Sequence, residues 1–386
     1  MNPSKDMPKE YEICLSCGYC TNVCPVVQVR GFETYSPRGK LYAIKKASKF
    51  SFFDCLLGRK IEVKELSKPV FECTLCGRCE VACHTRLKLV DFFEDYRGKI
   101  AKKISYDDRQ EKMIESIKKN GNSLNQPREK RDNFYKFEYE KNKRNADVLY
   151  FAGCLTSYVY FDLQRRIIKI LKSSGLEVSS LGNEEECCGR VLRMLGRFED
   201  FAEIAKRNAE RIKATGAKIV VTGCPGCYKA LKYHYPEVLG KDVFNGMRVL
   251  HTTEIFLELA KEGKISIRRK MQKSESMEYI WHDPCELSRG CGVIDAPREL
   301  LATLGIKFKE YESKGYDSEC CGGGGALRAI EEELCKSISL KKFEHAKELG
   351  SNAIITSCPN CLSTFEFARP EGKYFVYDIS ELIDIK

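Results

Sequence analysis

The sequence predicts an α+β chain of several domains: a mostly α-helical N-terminal region, then two tandem, duplicated α/β units with short parallel sheets. Three observations predict it. The first hundred residues show little strand signal, and helical patterns such as RGKLYAIKKASKF (38–50) fill them. From residue 146 short apolar runs alternate with helical segments, the texture of strands joined by crossover helices. And the second texture is written twice.

The repeat sets the boundaries. DVLYFAGC (147–154) matches EYIWHDPC (278–285), EEECCGR (184–190) matches DSECCGG (317–323), and AKIVVTGCPGCYKAL (217–231) matches SNAIITSCPNCLSTF (351–365). The offset creeps only from 131 residues (Cys154 to Cys285) to 134 (Cys224 to Cys358), so a domain has been duplicated. The expected organisation is a first domain over 1–105, a charged helix and linker over 106–145, a first repeat over 146–270 and a second over 271–386. The linker assignment rests on KNGNSLNQPREKRDN, rich in charge and in Gly, Asn and Pro breakers. The amphipathic YFDLQRRIIKILKSSG (160–175) is the expected first crossover helix, with Gly175 as its C-cap. In each copy one strand ends near the first cysteine and another near the Cys-Pro-x-Cys. Reactive groups of open parallel sheets gather beyond such strand ends.

Composition excludes several classes. The chain has 386 residues, 43% of them hydrophobic, and no uninterrupted apolar stretch of membrane-spanning length. Its first residues, MNPSKDMPKEYEIC, lack a signal-peptide core, so a cytoplasmic location is expected, or a peripheral one on the inner face of a membrane through a partner subunit. The net charge of +10 arises from 65 basic and 55 acidic residues. That is mild for so many charges, and no dense basic run with aromatics signals nucleic acid.

Cysteine usage decides the chemistry. Of 21 cysteines, 18 fall into four groups with metal-ligand spacing, and Cys55, Cys291 and Cys335 stand apart as small buried hydrophobes. An odd count in a reducing compartment argues against a disulfide scaffold. Residues 14–25 (CLSCGYCTNVCP) and 73–84 (CTLCGRCEVACH) both carry C-x2-C-x2-C-x3-C, the bacterial ferredoxin run for cubane [4Fe–4S] clusters. His84 stands where a proline is usual. The fourth cysteine of such a run ligates the other cluster, which assigns Cys14, Cys17, Cys20 and Cys83 to one cubane and Cys73, Cys76, Cys79 and Cys24 to the other. Paired zinc knuckles are the competing reading.

Each repeat supplies five cysteines: Cys154, Cys187, Cys188, Cys224 and Cys227, then Cys285, Cys320, Cys321, Cys358 and Cys361. Five thiolates overfill a structural zinc or an ordinary cubane, each of which takes four ligands. Neighbouring Cα atoms lie ~3.8 Å apart, so an adjacent pair on one small ion would strain its loop. An enlarged or opened cluster relieves that. A zinc site in the first repeat with an idle fifth cysteine, or a redox CxxC dithiol, remain alternatives.

These motifs, with SPRGK (36–40), resemble the CCG-domain iron–sulfur family, and the order of a two-cluster ferredoxin-like domain and two CCG domains resembles most the heterodisulfide reductase D subunits of methanogenic archaea. The resemblance implies reduction of the mixed disulfide of coenzyme M and coenzyme B, with the ten repeat cysteines holding two noncubane [4Fe–4S] clusters that flank the small-molecule disulfide. It also implies electrons from a membrane cytochrome b or another redox subunit. The alternative within the same likeness is an electron-transfer subunit of an FAD-linked glycolate, lactate or glycerol-3-phosphate dehydrogenase. Around these sites Arg190, Arg193 and Arg289 are candidates for substrate anions, and GGGG (322–325) for an anion or for close packing. His282 is either a proton relay or hydrogen-bonded scaffolding, and Trp281 a core residue.

Overall fold

A computed structural model describes residues 10–48, 63–102, 108–131, 144–268, 277–371 and 374–385. Cys55 lies outside them. The N-terminal part is helical, with helices Pro37–Ser48, Val63–Phe71 and Leu89–Ala101 framing the two cysteine loops. Leu41, Ile44, Phe92, Phe93 and Ile100 form its buried stripe, and this continues into the first repeat through Phe151, Leu192 and Phe201.

The first repeat is a four-stranded sheet of β1 (Val148–Tyr150), β2 (Val178–Ser179), β3 (Ile219–Thr222) and β4 (Arg248–His251) in the order β2-β1-β3-β4, with every pair parallel. Strand β5 (Ile265–Ile267) follows. The second repeat, β6 (Tyr279–Trp281), β7 (Lys309–Glu310), β8 (Ala353–Thr356) and β9 (Phe375–Asp378), has the order β7-β6-β8-β9, again parallel throughout. The duplicated sequence thus folds to a duplicated topology. C-terminal β10 (Ile383–Ile385) returns to pair antiparallel with β5, lacing the end of the second repeat to the end of the first.

Parallel strands buried on both faces read as apolar runs, and these do: β1, β6 and β8 are buried along their whole length. The predicted crossover helix spans Phe161–Ser173, with Gly175 at φ 86° just beyond its end. Both sheets contribute to one continuous core, which includes Tyr150, Val221, Trp281 and Ile354. The segment read as a helix running into a linker is a helix over Asp108–Asn120, with Ile114 and Ile117 buried. Its continuation packs inward as well. Gly121 O accepts from the Cys187 backbone N–H at 2.6 Å, and Arg131 is buried against Glu185 at 2.6 Å.

Candidate functional site

In a sheet of order 2-1-3-4 the connections leave β1 and β3 in opposite directions, so a crevice opens at their carboxyl ends. The cysteines occupy that crevice in both copies. Cys154 opens a helix four residues past β1, and Cys224 N-caps the helix Pro225–Lys229 just past β3. Cys285 and Cys358 repeat these roles beyond β6 and β8.

The adjacent cysteines bridge the two sides. Cys187 contacts Cys154 and Cys188, and Cys188 in turn contacts Cys227, which contacts Cys224. The second repeat has the same sequence of contacts, Cys285–Cys320–Cys321–Cys361–Cys358. Each doublet therefore joins the strand-end cysteine to the Cys-Pro-x-Cys. Hydrogen bonds from the Cys187 and Cys227 thiols hold Cys188 down at about 6. Backbone amides complete the cradle: Gly322 N–H donates to Cys320 Sγ at 3.3 Å and Gly323 N–H to Cys321 Sγ at 3.4 Å. Five sulfurs converge with amides aimed at them, which suits a multi-iron cluster bound as thiolates.

The doublets are anchored alike. Glu186, just before the first, accepts from Arg207 and Arg211 on the helix Phe198–Ala214. Glu319, before the second, pairs with Lys342 and His345 on the helix Glu332–Glu348. The cations sit three or four residues apart on one helix face, as helical periodicity requires.

The N-terminal cysteines fall into two groups. One small cavity is lined by Cys14, Cys17, Cys20 and Cys83, and another by Cys24, Cys73, Cys76 and Cys79. Burial pushes the Cys24 thiol up to about 11, with Lys40 partly offsetting it. A cationic metal would relieve that burden.

Three of the groups follow one another. Cys76 lies within hydrogen-bond reach of Cys320, so the second N-terminal loop abuts the second repeat. Cys358 feels the charge of Cys224, so the two repeat sites face each other. Helix packing accounts for the second juxtaposition. The helix Cys154–Tyr158 lies against Pro359–Ala368, and Pro225–Lys229 lies against Cys285–Cys291.

GGGG makes the first juxtaposition possible. A Cβ at Gly324 would lie 2.3 Å from Thr74 O, and one at Gly325 would lie 2.2 Å from Cys73 O. Of its two readings, close packing is the one the structure supports. The helix beyond, Leu327–Ile330, is a single turn. Arg97, fully buried and not singled out by the sequence, clasps the junction by donating to Cys73 O at 2.6 Å, Gly325 O at 3.1 Å and Met194 O at 2.9 Å.

The three candidate arginines already have partners in the protein. Arg190 pairs with Glu94 at 2.6 Å and Glu286 at 2.5 Å, and Arg193 with Glu94 at 3.3 Å and Glu237 at 3.1 Å. Arg289 donates to Cys76 O and Ser318 O. They tie the domains together. Sequence reasoning missed Glu94; an acid set directly beside Phe92 and Phe93 in a helix was the available signal for a buried ion pair. A mixed-charge cavity of about 500 Å³ opens beside these groups, with Cys76, Cys285 and Lys229 among its lining residues. Trp281 is buried, with Nε1–H donating to Asp283 at 2.9 Å. Cys335 lies in a small core with Cys24 and Leu334. Burial raises the half-buried Cys291 to about 12.

Comparison with known proteins now bears on this arrangement. A 4Fe-4S dicluster domain matches residues 10–87, and a cysteine-rich domain named CCG matches residues 148–232 and 279–366. Over 97% of its length and 93% of the relative's, the chain is 30% identical to the D subunit of dihydromethanophenazine:CoB–CoM heterodisulfide reductase of Methanosarcina mazei. The chain belongs to the CCG-domain iron–sulfur family of the heterodisulfide reductase D subunits. It is an iron–sulfur subunit of the heterodisulfide reductase type. It is also 28% identical to the B subunit of fumarate reductase (CoM/CoB) of Methanothermobacter marburgensis, over 98% of this chain and 72% of that one. A crystal structure of a hypothetical protein from Helicobacter pylori shares the fold, with a TM-score of 0.58 at 10% identity over 90% of this chain and 66% of that one. Among the described residues no helix is long and apolar enough to cross a membrane.

Proposed function

We propose that this chain reduces a mixed disulfide of two anionic thiols, that of coenzyme M and coenzyme B, to the free thiols. The observation that carries this reading is the neighbouring pair of five-cysteine sites, brought together by the packing of the helices that follow Cys154, Cys224, Cys285 and Cys358, and met by the second N-terminal loop through Cys76 and Cys320. When bound, cubane clusters at the N-terminal cysteines and noncubane [4Fe–4S] clusters at the ten repeat cysteines supply one-electron steps and sulfur-binding iron. The protein's own part is geometry. Paired sites would hold a disulfide between them, one sulfur toward each, so that the S–S bond breaks on accepting two electrons and the two thiolates take two protons from solvent as they leave. The cavity of mixed charge beside Cys285, with Lys229 and Glu286 on its wall, offers a way in.

Electrons enter through the N-terminal loops. On the outer cluster loop Cys17 is exposed, and Leu15 (71% exposed) and Tyr19 (56%) on the same loop offer apolar surface suited to a redox partner such as a membrane cytochrome b. A second reading, electron exchange with a partner protein's acceptor in place of disulfide cleavage, is supported by the likeness to the fumarate reductase (CoM/CoB) B subunit.

One experiment separates these readings. The anaerobically purified chain is analysed for iron, zinc and sulfide, then oxidised, given coenzyme M thiol and examined by EPR. About sixteen irons, four for each of four clusters, with a thiol-induced signal and disulfide reduction by a one-electron donor support the proposal. Full iron without disulfide reduction supports the second reading. Zinc in either repeat overturns the first.

A further inference from the structure

The two repeats share their topology and the order of their cysteines, so a difference between them at the sites is informative. One such difference lies three residues before the strand-end cysteine, where the first repeat has Phe151 and the second His282. Both are buried, His282 at 1% exposure and Phe151 at 0%.

His282 is fixed in place. Its backbone N–H donates to Ile355 O at 2.8 Å, and its ring stands edge-on to Phe365 with centroids 4.8 Å apart and an interplanar angle of 88°. Its Nε2 is buried with no hydrogen-bond partner in the protein, sulfur included, although leaving a buried polar atom unsatisfied costs about 1–3 kcal/mol. A ring nitrogen of His282 and the sulfurs of Cys321 and Cys361 all lie within 4.8 Å of one another. The ring therefore meets the middle of the second thiol chain, at the doublet cysteine that joins its two halves. Phe151 can offer nothing comparable to the first chain.

We infer that His282 holds its unpaired ring N–H beside the Cys321 sulfur and, when the site is loaded, donates a hydrogen bond to it, thereby setting the second five-cysteine site at a higher reduction potential than the first. A donor to a ligating sulfur withdraws electron density and stabilises the more negative, reduced state of an iron–sulfur centre. The site next to Cys76 then fills before the site across from it. His282 acts through Cys321, so it is a positioning residue. The inference rests on the proposal that the second repeat holds an iron–sulfur cluster.

The test uses the full chain with its clusters. His282→Phe copies the first repeat, and Phe151→His copies the second. Metal and sulfide analysis comes first, then an EPR-monitored redox titration of the second-site signal, identified by its loss in Cys321→Ser. At unchanged iron content, His282→Phe is expected to lower the reduced-to-oxidised ratio at a fixed potential at least tenfold, a shift of about 59 mV for a one-electron couple. Phe151→His is expected to shift the first site the other way. An unmoved midpoint at full iron overturns the inference while leaving the proposed function standing. Zinc or no metal in the wild-type second repeat overturns both. Where His282→Phe loses iron, pulsed EPR of wild-type protein labelled with ¹⁵N-histidine decides. A weak coupling, of hydrogen-bond size, supports the inference, and either no coupling or the strong coupling of a directly bound nitrogen overturns it.

Discussion

Replacing Gly325 by alanine tests whether the junction between the N-terminal loops and the second repeat is set by backbone contact. The added Cβ would lie 2.2 Å from Cys73 O, a contact that real methyl groups do not make with backbone, and 3.0 Å from Thr74 C, a tight one. The loop must retreat by roughly 0.8 Å merely to reach 3.0 Å from that oxygen, in a packed region where overfilling typically costs about 1–3 kcal/mol. Gly325 also has φ +63°, which adds about 1 kcal/mol for a residue with a side chain. Retreat would further stretch the Arg97 clasp, which donates to Cys73 O and Gly325 O together. The expected loss is about 2–4 kcal/mol. Gly175 provides the control, since its φ is +86° but a Cβ there meets nothing within 4 Å, so Gly175→Ala should lose only about 1 kcal/mol. Denaturant unfolding followed by bleaching of the cluster absorbance measures both. Stopped-flow reduction of the second repeat through the N-terminal clusters should slow in Gly325→Ala alone. Equal stability of the two variants, with unchanged reduction kinetics, would refute the reasoning.

Crossed ligation predicts that Cys83→Ser perturbs the EPR of the cluster held by Cys14, Cys17 and Cys20, whereas Cys24→Ser perturbs the other; a change confined to the opposite cluster would exclude the pairing. Glu94→Gln removes the shared partner of the buried Arg190 and Arg193 and should destabilise the chain by about 3–5 kcal/mol in denaturant unfolding. Burial raises the Glu186 carboxyl, but hydrogen bonds from Arg207 and Arg211 outweigh this and hold it at about 2 against an ordinary 4.5. A depressed acid contributes stability that is complete above the unfolded value and fades as pH falls through the folded one. Glu186→Gln should therefore cost about 1–2 kcal/mol at neutral pH, the shift being discounted because solvent screens its partly exposed arginine partners, with the gap to wild type flat above about pH 5.5 and closing between about 4.5 and 2.

Much of this architecture was legible because cysteine spacing and strand alternation are local. The run CLSCGYCTNVCP states its own ligand geometry, and the apolar DVLYFAGC and KIVVTG carry the strands that end at Cys154 and Cys224. What could not be read was long-range. Nothing local says that Glu94 meets Arg190 from 96 residues away, or that the polar stretch after Asn120 folds inward so that Arg131 can reach Glu185. The arginines near the cysteines look free for an anion in the sequence because their acidic partners sit in other domains. GGGG admits two readings until Cys73 O and Thr74 O are found against it. His282 reads as a histidine at a strand end, yet its neighbour Cys321 is 39 residues on, and only the fold brings them together.

Duplication explains why the two sites face each other. A parallel unit of order 2-1-3-4 gathers its sulfurs at one rim, and two such units sharing a core turn those rims together. Each rim is walled by the other copy: the helix after Cys154 rests on the helix after Cys358, and the helix after Cys224 on the helix after Cys285. A pair of identical sites would give electrons no preferred order of arrival. Two features break the equivalence, both on the second copy. Gly324 and Gly325 let the Cys73–Cys76 loop approach that copy, and His282 stands where the first has Phe151. If the duplicated frame served only to fold the chain, substitutions at 151 and 282 would alter stability alone and leave both midpoints where they were. If the frame exists to hold one disulfide between two unequal electron donors, exchanging these two side chains should exchange the order in which the sites are reduced.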